Sequence, residues 1–312
     1  MKGEIKMKEY YPEGILINTQ ENSRYIQSLT SLCSAAAQGM ILEAPAVLCD
    51  RSHDITVELG CMKGVIKREE GAIGIAEGTI RDIALISRVG KPVCFKVQSI
   101  KEDENGDPYA LLSRRAAQEE CREWIFENMV PGDIIDARVT HLEPFGAFCD
   151  IGCGNIALLP IDSISVSRIS HPRDRFSVGE SIKAIIKSID KGGRITLSHK
   201  ELLGTWEENA QSFLQGQTVS GIVRSVEDYG VFVELAPNLA GLAETGPAVQ
   251  PGDGVCVYIK SIIPEKMKIK LIIIDKLEAP PKNPTRYYCN GEHIEIFNYS
   301  PAAASKQLSV VF

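Results

Sequence analysis

The chain has no run of about 18 apolar residues, the length a membrane-spanning helix needs, so a helical membrane protein is excluded. Met1 to Gln20 mixes Lys, Glu and Tyr and lacks the apolar stretch of a secretory signal. Nine cysteines are scattered without a Cys-x-x-Cys pair, which argues against a zinc site or a thioredoxin-like centre and for reduced structural thiols in a cytoplasm. Cys149 and Cys153 could suggest a metal or redox pair, but no second ligand pair lies near them in sequence. There is no Walker loop, no G-x-S-x-G elbow and no H-E-x-x-H, and the five histidines are spread too widely to form a ligand set. Gly152-Cys153-Gly154-Asn155-Ile156-Ala157 fits a dinucleotide-binding pattern, yet it runs into the strand-like Leu158-Leu159-Pro160, so it reads as a hairpin turn. No enzyme, cofactor or metal is expected.

Positive charge is also missing. The net charge is −7, against the usual footprint of a nucleic-acid binder. The distribution of charge along the chain softens that objection. Lys+Arg against Asp+Glu is 12 to 16 over residues 40–129, 9 to 9 over 130–204 and 5 to 9 over 205–275. The neutral middle segment also holds His141, His171 and His199. If one segment is the main contact to a polyanion, charge points to the middle one.

Aromatic residues make up only 6% of the chain, so a place where two recur together is informative. Phe145-Gly146-Ala147-Phe148-Cys149-Asp150 returns 84 residues later as Tyr229-Gly230-Val231-Phe232-Val233-Glu234, each preceded at similar spacing by a Gly turn, Gly132 and Gly216. An internal repeat of this kind sets the architecture. Gly146 permits a kink or bulge that puts Phe145 and Phe148 on one sheet face; without it both rings would read as core.

Around each repeat the pattern is of short strands. Residues 1–39 begin polar, and Ser23 to Gln38 has helical spacing. Ile41–Cys49, Ile55–Leu59, Gly64–Ile66, Val93–Ile100 and Tyr109–Ser113 are five strand candidates, followed by a helix with Trp124. The second set is Ile134–His141, Phe145–Ile151, Asn155–Pro160, Ser181–Ile189 and Arg194–Ser198. Alternation there points Ala137, Val139, Ile182, Ala184 and Ile186 inward and Lys183, Ile185 and Lys187 outward. A second connecting helix carries Trp206 and Phe213, and a third set runs from Gln217 to about Asp275 with a short loop at Thr245–Gly252. Pro280 to Pro284 is an extended linker. Tyr287–Cys289, a turn at Asn290-Gly291 and His293–Phe297 suggest closing strands. Five short strands with an insertion after the third is the OB plan, and about twenty residues of insertion suit it better than an SH3-like barrel.

Gly132-Asp133, Phe145-Gly146-Ala147-Phe148, Val178-Gly179-Glu180, Ile189-Asp190 and Arg194-Ile195-Thr196-Leu197-Ser198-His199-Lys200 together resemble the S-one RNA-binding repeat family, named for a protein of the bacterial small ribosomal subunit. The third unit shares Gly216, Tyr229–Phe232, Gly241-Leu242 and Lys268–Leu271. The first keeps only Arg88–Lys91 and Leu111–Arg114 and reads as degenerate. The organisation expected is an N-terminal extension (1–39), a degenerate repeat (40–115), a linker helix (116–129), the best repeat (130–200), a second linker helix (201–213), a third repeat (214–275) and a Pro-rich linker with strands (276–312). The fold class is mainly β: three tandem five-stranded OB-type barrels joined by short helices, with an N-terminal helix and a C-terminal β extension.

The resemblance implies single-stranded RNA binding with little sequence preference, no cofactor and no catalysis. RNA-contacting positions fall on Phe145, Phe148, Asp190 and Arg194, with Lys187 beside them, and on Tyr229, Phe232 and Lys268 in the third unit. The family's His after the third strand is replaced by Pro160 and by Glu244, and the first unit has Ile55-Thr56-Val57 where rings belong. Arg168, Arg173 and Arg175 in the insertion are weaker phosphate candidates. Binding is expected to rank second, third, first. The partner implied is mRNA near a ribosome or another RNA machine. The competing reading is a protein–protein adaptor docking through the first unit, and a third is single-stranded DNA binding.

Overall fold

The computed structural model describes residues 10–244, 248–281, 285–289 and 291–312. The N-terminal residues 1–9, Thr245–Pro247 of the short loop, Lys282–Pro284 of the linker and Asn290 of the expected turn lie outside them. The fold is mainly β, three closed five-stranded barrels with short helices and a C-terminal two-stranded sheet.

The helix expected over Ser23–Gln38 is two: α1 (Gln20–Ile26) and α2 (Leu29–Ala37). Ser28 takes an extended backbone between them and its hydroxyl accepts the Ser31 N–H, so it caps α2 instead of continuing α1. Asn22 of α1 donates to the Glu43 carbonyl and accepts its N–H, at 2.7 and 2.8 Å, a side chain acting as a strand partner.

The first barrel is β1 (Ile41–Cys49), β2 (Ile55–Glu58), β3 (Lys63–Ile66), β4 (Pro92–Glu102) and β5 (Pro108–Ser113), in the order β1-β2-β3-β5-β4. Its core includes Leu42, Val57, Ile66, Val93, Phe95 and Leu112, all buried, although the aromatic pair of the other two repeats is absent. The connection from β3 to β4 includes the short helix α3 (Ile83–Ile86). The linker helix α4 (Arg114–Asn128) starts on the Ser113 cap and buries Ala117, Cys121 and Ile125. Glu13 is buried beside Arg114, whose guanidinium donates to both carboxylate oxygens at 2.6 and 3.0 Å.

The second barrel comprises β6 (Ile134–Glu143), β7 (Gly146–Asp150), β8 (Ile156–Pro160), β9 (Ser181–Ile189) and β10 (Ile195–Ser198). The third has β11 (Thr218–Glu227), β12 (Gly230–Ala236), β13 (Leu239–Ala243), β14 (Gly254–Ile263) and β15 (Lys268–Lys276). Both repeat the strand order of the first. The inward set read from alternation is buried, and so is Ile185, expected outward. The outer side of β9 carries a later segment of chain, where the Tyr287 hydroxyl accepts the Lys183 N–H. The second connecting helix shrinks to α5 (Trp206–Ala210), set by a Thr205/Glu208 capping box. Phe213 falls beyond its end but packs on the same core as the buried Trp206.

Beyond the linker, Tyr287–Cys289 is not a strand: the Tyr287 hydroxyl lies 3.2 Å from His199 Nε2, and the Tyr288 N–H donates to the Leu202 carbonyl. The closing sheet is β16 (Ile296–Asn298) with β17 (Ser309–Val311). Among the described residues no helix is long and apolar enough to cross a membrane.

Candidate nucleic-acid interface

Two hairpins present the same aromatic arrangement. Phe145 and Tyr229 sit in the turns before β7 and β12, and Phe148 and Phe232 follow on the strands. The rings of Phe145 and Phe148 are 5.9 Å apart at 88°, and those of Tyr229 and Phe232 are 6.2 Å apart at 88°. An edge-to-face pair leaves one ring face open to a third partner. Phe145 is 56% exposed and Tyr229 69%, which is unusual for rings that size and leaves them free to take a flat ligand.

In the third barrel the glycine between the rings is not itself the bulge. Glu227 faces Gly230 in register, and the irregularity in the β11–β12 pair lies on β11, between Val223 and Ser225. The first ring of each pair is in the turn, outside strand alternation. Glycine is needed for close approach: a Cβ on Gly146 would lie 2.5 Å from the Leu159 carbonyl oxygen, and one on Gly230 2.5 Å from that of Ala243.

Strand register extends the third barrel's face. Ser225, Phe232, Leu242 and Lys270 are successive partners across β11, β12, β13 and β15, so Lys270 shares a row with the inner ring. The sequence pattern points to Lys268, two residues away on the same exposed side of β15 and paired with Ile263. The signal for Lys270 is the alternation of Lys268-Ile269-Lys270-Leu271, which aims both lysines outward. In the second barrel the corresponding β8–β10 pair is Leu158 with Thr196, neither of them charged. In the first, the row is Leu48, Thr56, Val65 and Leu111, with no ring in it.

The remaining predicted residues differ in role. Arg194 is 88% exposed and its Nε donates to Asp190 Oδ2 at 2.9 Å across the β9–β10 turn. Asp190 Oδ1 accepts the Arg194 backbone N–H, and that hydrogen bond, before the guanidinium itself, holds its carboxyl below the usual range. Asp190 therefore shapes the turn that presents Arg194. Lys187 is exposed and reaches Ser163 Oγ at 3.1 Å. Glu244, at the family's His position, lies 3.3 Å from Lys260, which offsets its repulsion of phosphate.

Two residues depart from their sequence reading. Arg175 is not a loop cation open to phosphate: it is buried, its Nη2 2.5 Å from Glu234 Oε2, an oxygen it shares with Arg224 Nε at 2.7 Å. His141, outside the expected contact set, stands beside Phe148 with centroids 6.4 Å apart and planes 28° from parallel, its Nε2 2.7 Å from Glu143 Oε1. Its exposed position on β6, seven residues before Phe148, is the available clue. The Gly152–Asn155 segment is the β7–β8 turn, closed by the Asn155 N–H on the Gly152 carbonyl. All nine cysteines are free thiols, and among the described residues no group of three or more His, Cys, Asp or Glu is placed to hold a metal ion.

The S1 RNA binding domain family matches residues 130–200, the second barrel. Small ribosomal subunit protein bS1 of Staphylococcus aureus strain COL is 31% identical over 226 residues, covering 65% of this chain and 57% of that protein. The bS1 of Staphylococcus epidermidis strain ATCC 35984 is 31% identical over 211 residues, covering 62% and 52%. The chain thus spans little more than half the length of these relatives. A solved multidomain protein with nucleic acid binding domains from Streptococcus pneumoniae is similar at 14% identity, 76% and 74% coverage and a TM-score of 0.25. The second barrel is thus an S1 RNA binding domain by its family match, and the wider chain is distantly homologous, at 31% identity, to small ribosomal subunit protein bS1.

Proposed function

We propose that the chain binds single-stranded RNA, with little sequence preference, on the outer faces of its second and third barrels, and that it does so without catalysis. The observation that carries the reading is the duplicated ring pair: two hairpins hold exposed aromatics in the same edge-to-face geometry. Unpaired bases stack on Phe145, Phe148, Tyr229 and Phe232, because every base has a π-face whatever its hydrogen-bonding edge. Lys187 and Arg194 in one barrel and Lys268 and Lys270 in the other meet the phosphates. A duplex hides its base faces and is a poorer ligand. Each stacked base contributes roughly 1–3 kcal/mol, so one barrel binds weakly and two gain through effective concentration. The setting we infer is cytoplasmic, with mRNA as the natural ligand, in translation or RNA handling near a ribosome or another RNA machine.

Removing both rings of one barrel forfeits about 2 kcal/mol at the lower end of that range, which is more than tenfold in affinity. Phe145→Ala with Phe148→Ala is therefore expected to weaken binding of a labelled single strand at least tenfold while circular dichroism stays unchanged. Unaltered affinity in that folded double variant would refute the assignment. Nothing in the ring geometry selects ribose over deoxyribose, so single-stranded DNA belongs in the same titration.

A further inference from the structure

The first barrel lacks the rings but carries an uncovered apolar surface. At the β1–β2 pair the register slips between Ala46 and Leu48, and this bulge leaves both Val47 and Leu48 facing solvent. The β3–β4 connection returns beside them, because the Ala46 N–H donates to the Lys91 carbonyl and the Gly90 N–H to the Ala46 carbonyl. That connection contains α3, anchored by the fully buried Leu85, while Ile83 and Ile86 point away from the core and Val89 follows. Ile83 is 65% exposed and Leu48 55%. Asp82, at the start of α3, is 3.6 Å from His53 in the β1–β2 turn, which keeps α3 against that hairpin. Exposed apolar residues brought together by these links mark an interaction site more often than scattered single ones do.

Charge around the patch indicates its occupant. The neighbouring acids are engaged within the barrel: Asp82 with Arg68, Asp54 with Lys67, and Asp50 with the Ser52 and Asp54 N–H groups. The cations at its rim, Arg51, Arg81 and Lys91, are exposed and form no ion pair among the described residues. An aliphatic surface without a ring cannot stack bases, but it can receive aliphatic side chains.

We propose that Val47, Leu48, Ile83, Ile86 and Val89 form a docking site for an acidic amphipathic helix of a protein partner. The helix lays apolar residues spaced three and four apart over the patch and turns its carboxylates toward Arg51, Arg81 and Lys91. The site shares no residue with the RNA faces of the other barrels, so a bound strand and a bound helix do not compete for the same side chains.

A phage-displayed library of 16-residue peptides, selected on the full chain and counter-selected on the Ile83→Asp/Ile86→Asp variant, tests this. Both positions are exposed, so the variant is expected to keep the wild-type thermal midpoint; Leu48→Asp serves as a second counter-selection if it does not. The proposal expects surviving peptides with an i, i+3, i+4, i+7 apolar pattern and excess Asp and Glu, bound at least tenfold more weakly by either variant. The best of them also leaves single-stranded RNA affinity unchanged. Survivors without that pattern, survivors rich in Lys and Arg, or none at all overturn it. Self-association of the wild-type chain that the variant loses would make a second copy the occupant, and RNA shielding Ile83 and Leu48 from solvent would make it a nucleic-acid surface; either result also overturns it.

Discussion

Glu234 offers a test of how the second and third barrels are joined. Its side chain is fully buried on β12, and its Oε2 accepts from Arg224 of β11 and from Arg175 of the β8–β9 connection. Replacing it with Ala strands two guanidiniums that are 6% and 10% exposed, with Asp174, 3.4 Å from Arg224, the remaining carboxylate partner among the described residues. Burial already pulls Arg175 below its ordinary pKa, and Glu234 is what opposes that pull. Removing one partner of a buried ion pair costs about 3–5 kcal/mol. With a urea dependence of about 2 kcal/mol per molar, a loss near 4 kcal/mol lowers the midpoint by about 2 M. Buried Trp206 reports on the third barrel, and Trp124→Phe in the background makes it the only tryptophan. Among the described residues Glu234 Oε1 and Arg175 Nε have no hydrogen-bond partner, so the network is incompletely satisfied there. Accordingly Glu234→Leu with Arg175→Met and Arg224→Met is expected to recover most of the loss. A Glu234→Ala midpoint within about 0.3 M of wild type, on the same linear dependence, would mean that the buried ion pair does not hold the third barrel. The same substitution is expected to weaken RNA long enough to span both barrels more than RNA that fills one.

Three further outcomes are expected. Burial lowers the His199 pKa to about 4, so acid protonates the unfolded chain first. The second barrel should then lose about 3 kcal/mol between pH 6.5 and 4, with no loss from this group above pH 7, and His199→Gln should lack that part of the pH dependence in urea melts. Gly146→Ala drives a Cβ against the Leu159 carbonyl and is expected to cost on the order of 1–3 kcal/mol by thermal denaturation. Lys270→Ala is expected to weaken single-strand binding several-fold at low salt and to flatten the salt slope by about 0.7, leaving stability unchanged.

The barrels were legible because strand alternation is local. Even the first, stripped of its motif, follows Ile41–Cys49 through Ser113 closely, since Leu42, Ala44 and Ala46, or Val93, Phe95 and Val97, write their burial at every second residue. The ring pairs were legible for the same reason: a turn residue and a strand residue three apart. What escaped were contacts between residues distant in sequence. Arg175 looks like any loop cation until Glu234, 59 residues later, lies beneath it. Tyr287 has strand-forming neighbours, yet pairs with His199, 88 residues earlier. Glu13 gave no sign of its partner Arg114, 101 residues on. Lys268 and Lys270 look alike in sequence because only strand register distinguishes two lysines on one side of β15.

The most direct test of the central claim is an anisotropy titration of labelled single-stranded RNA on the full chain at several salt concentrations, beside duplex RNA and single-stranded DNA. Four phosphate contacts, from Lys187, Arg194, Lys268 and Lys270, predict log K falling with log salt at a slope of about −3, with duplex RNA bound at least tenfold more weakly than the single strand. No binding at low salt, or duplex bound as tightly as single strand, would contradict the stacking faces and leave the first barrel's docking surface as the chain's main point of contact.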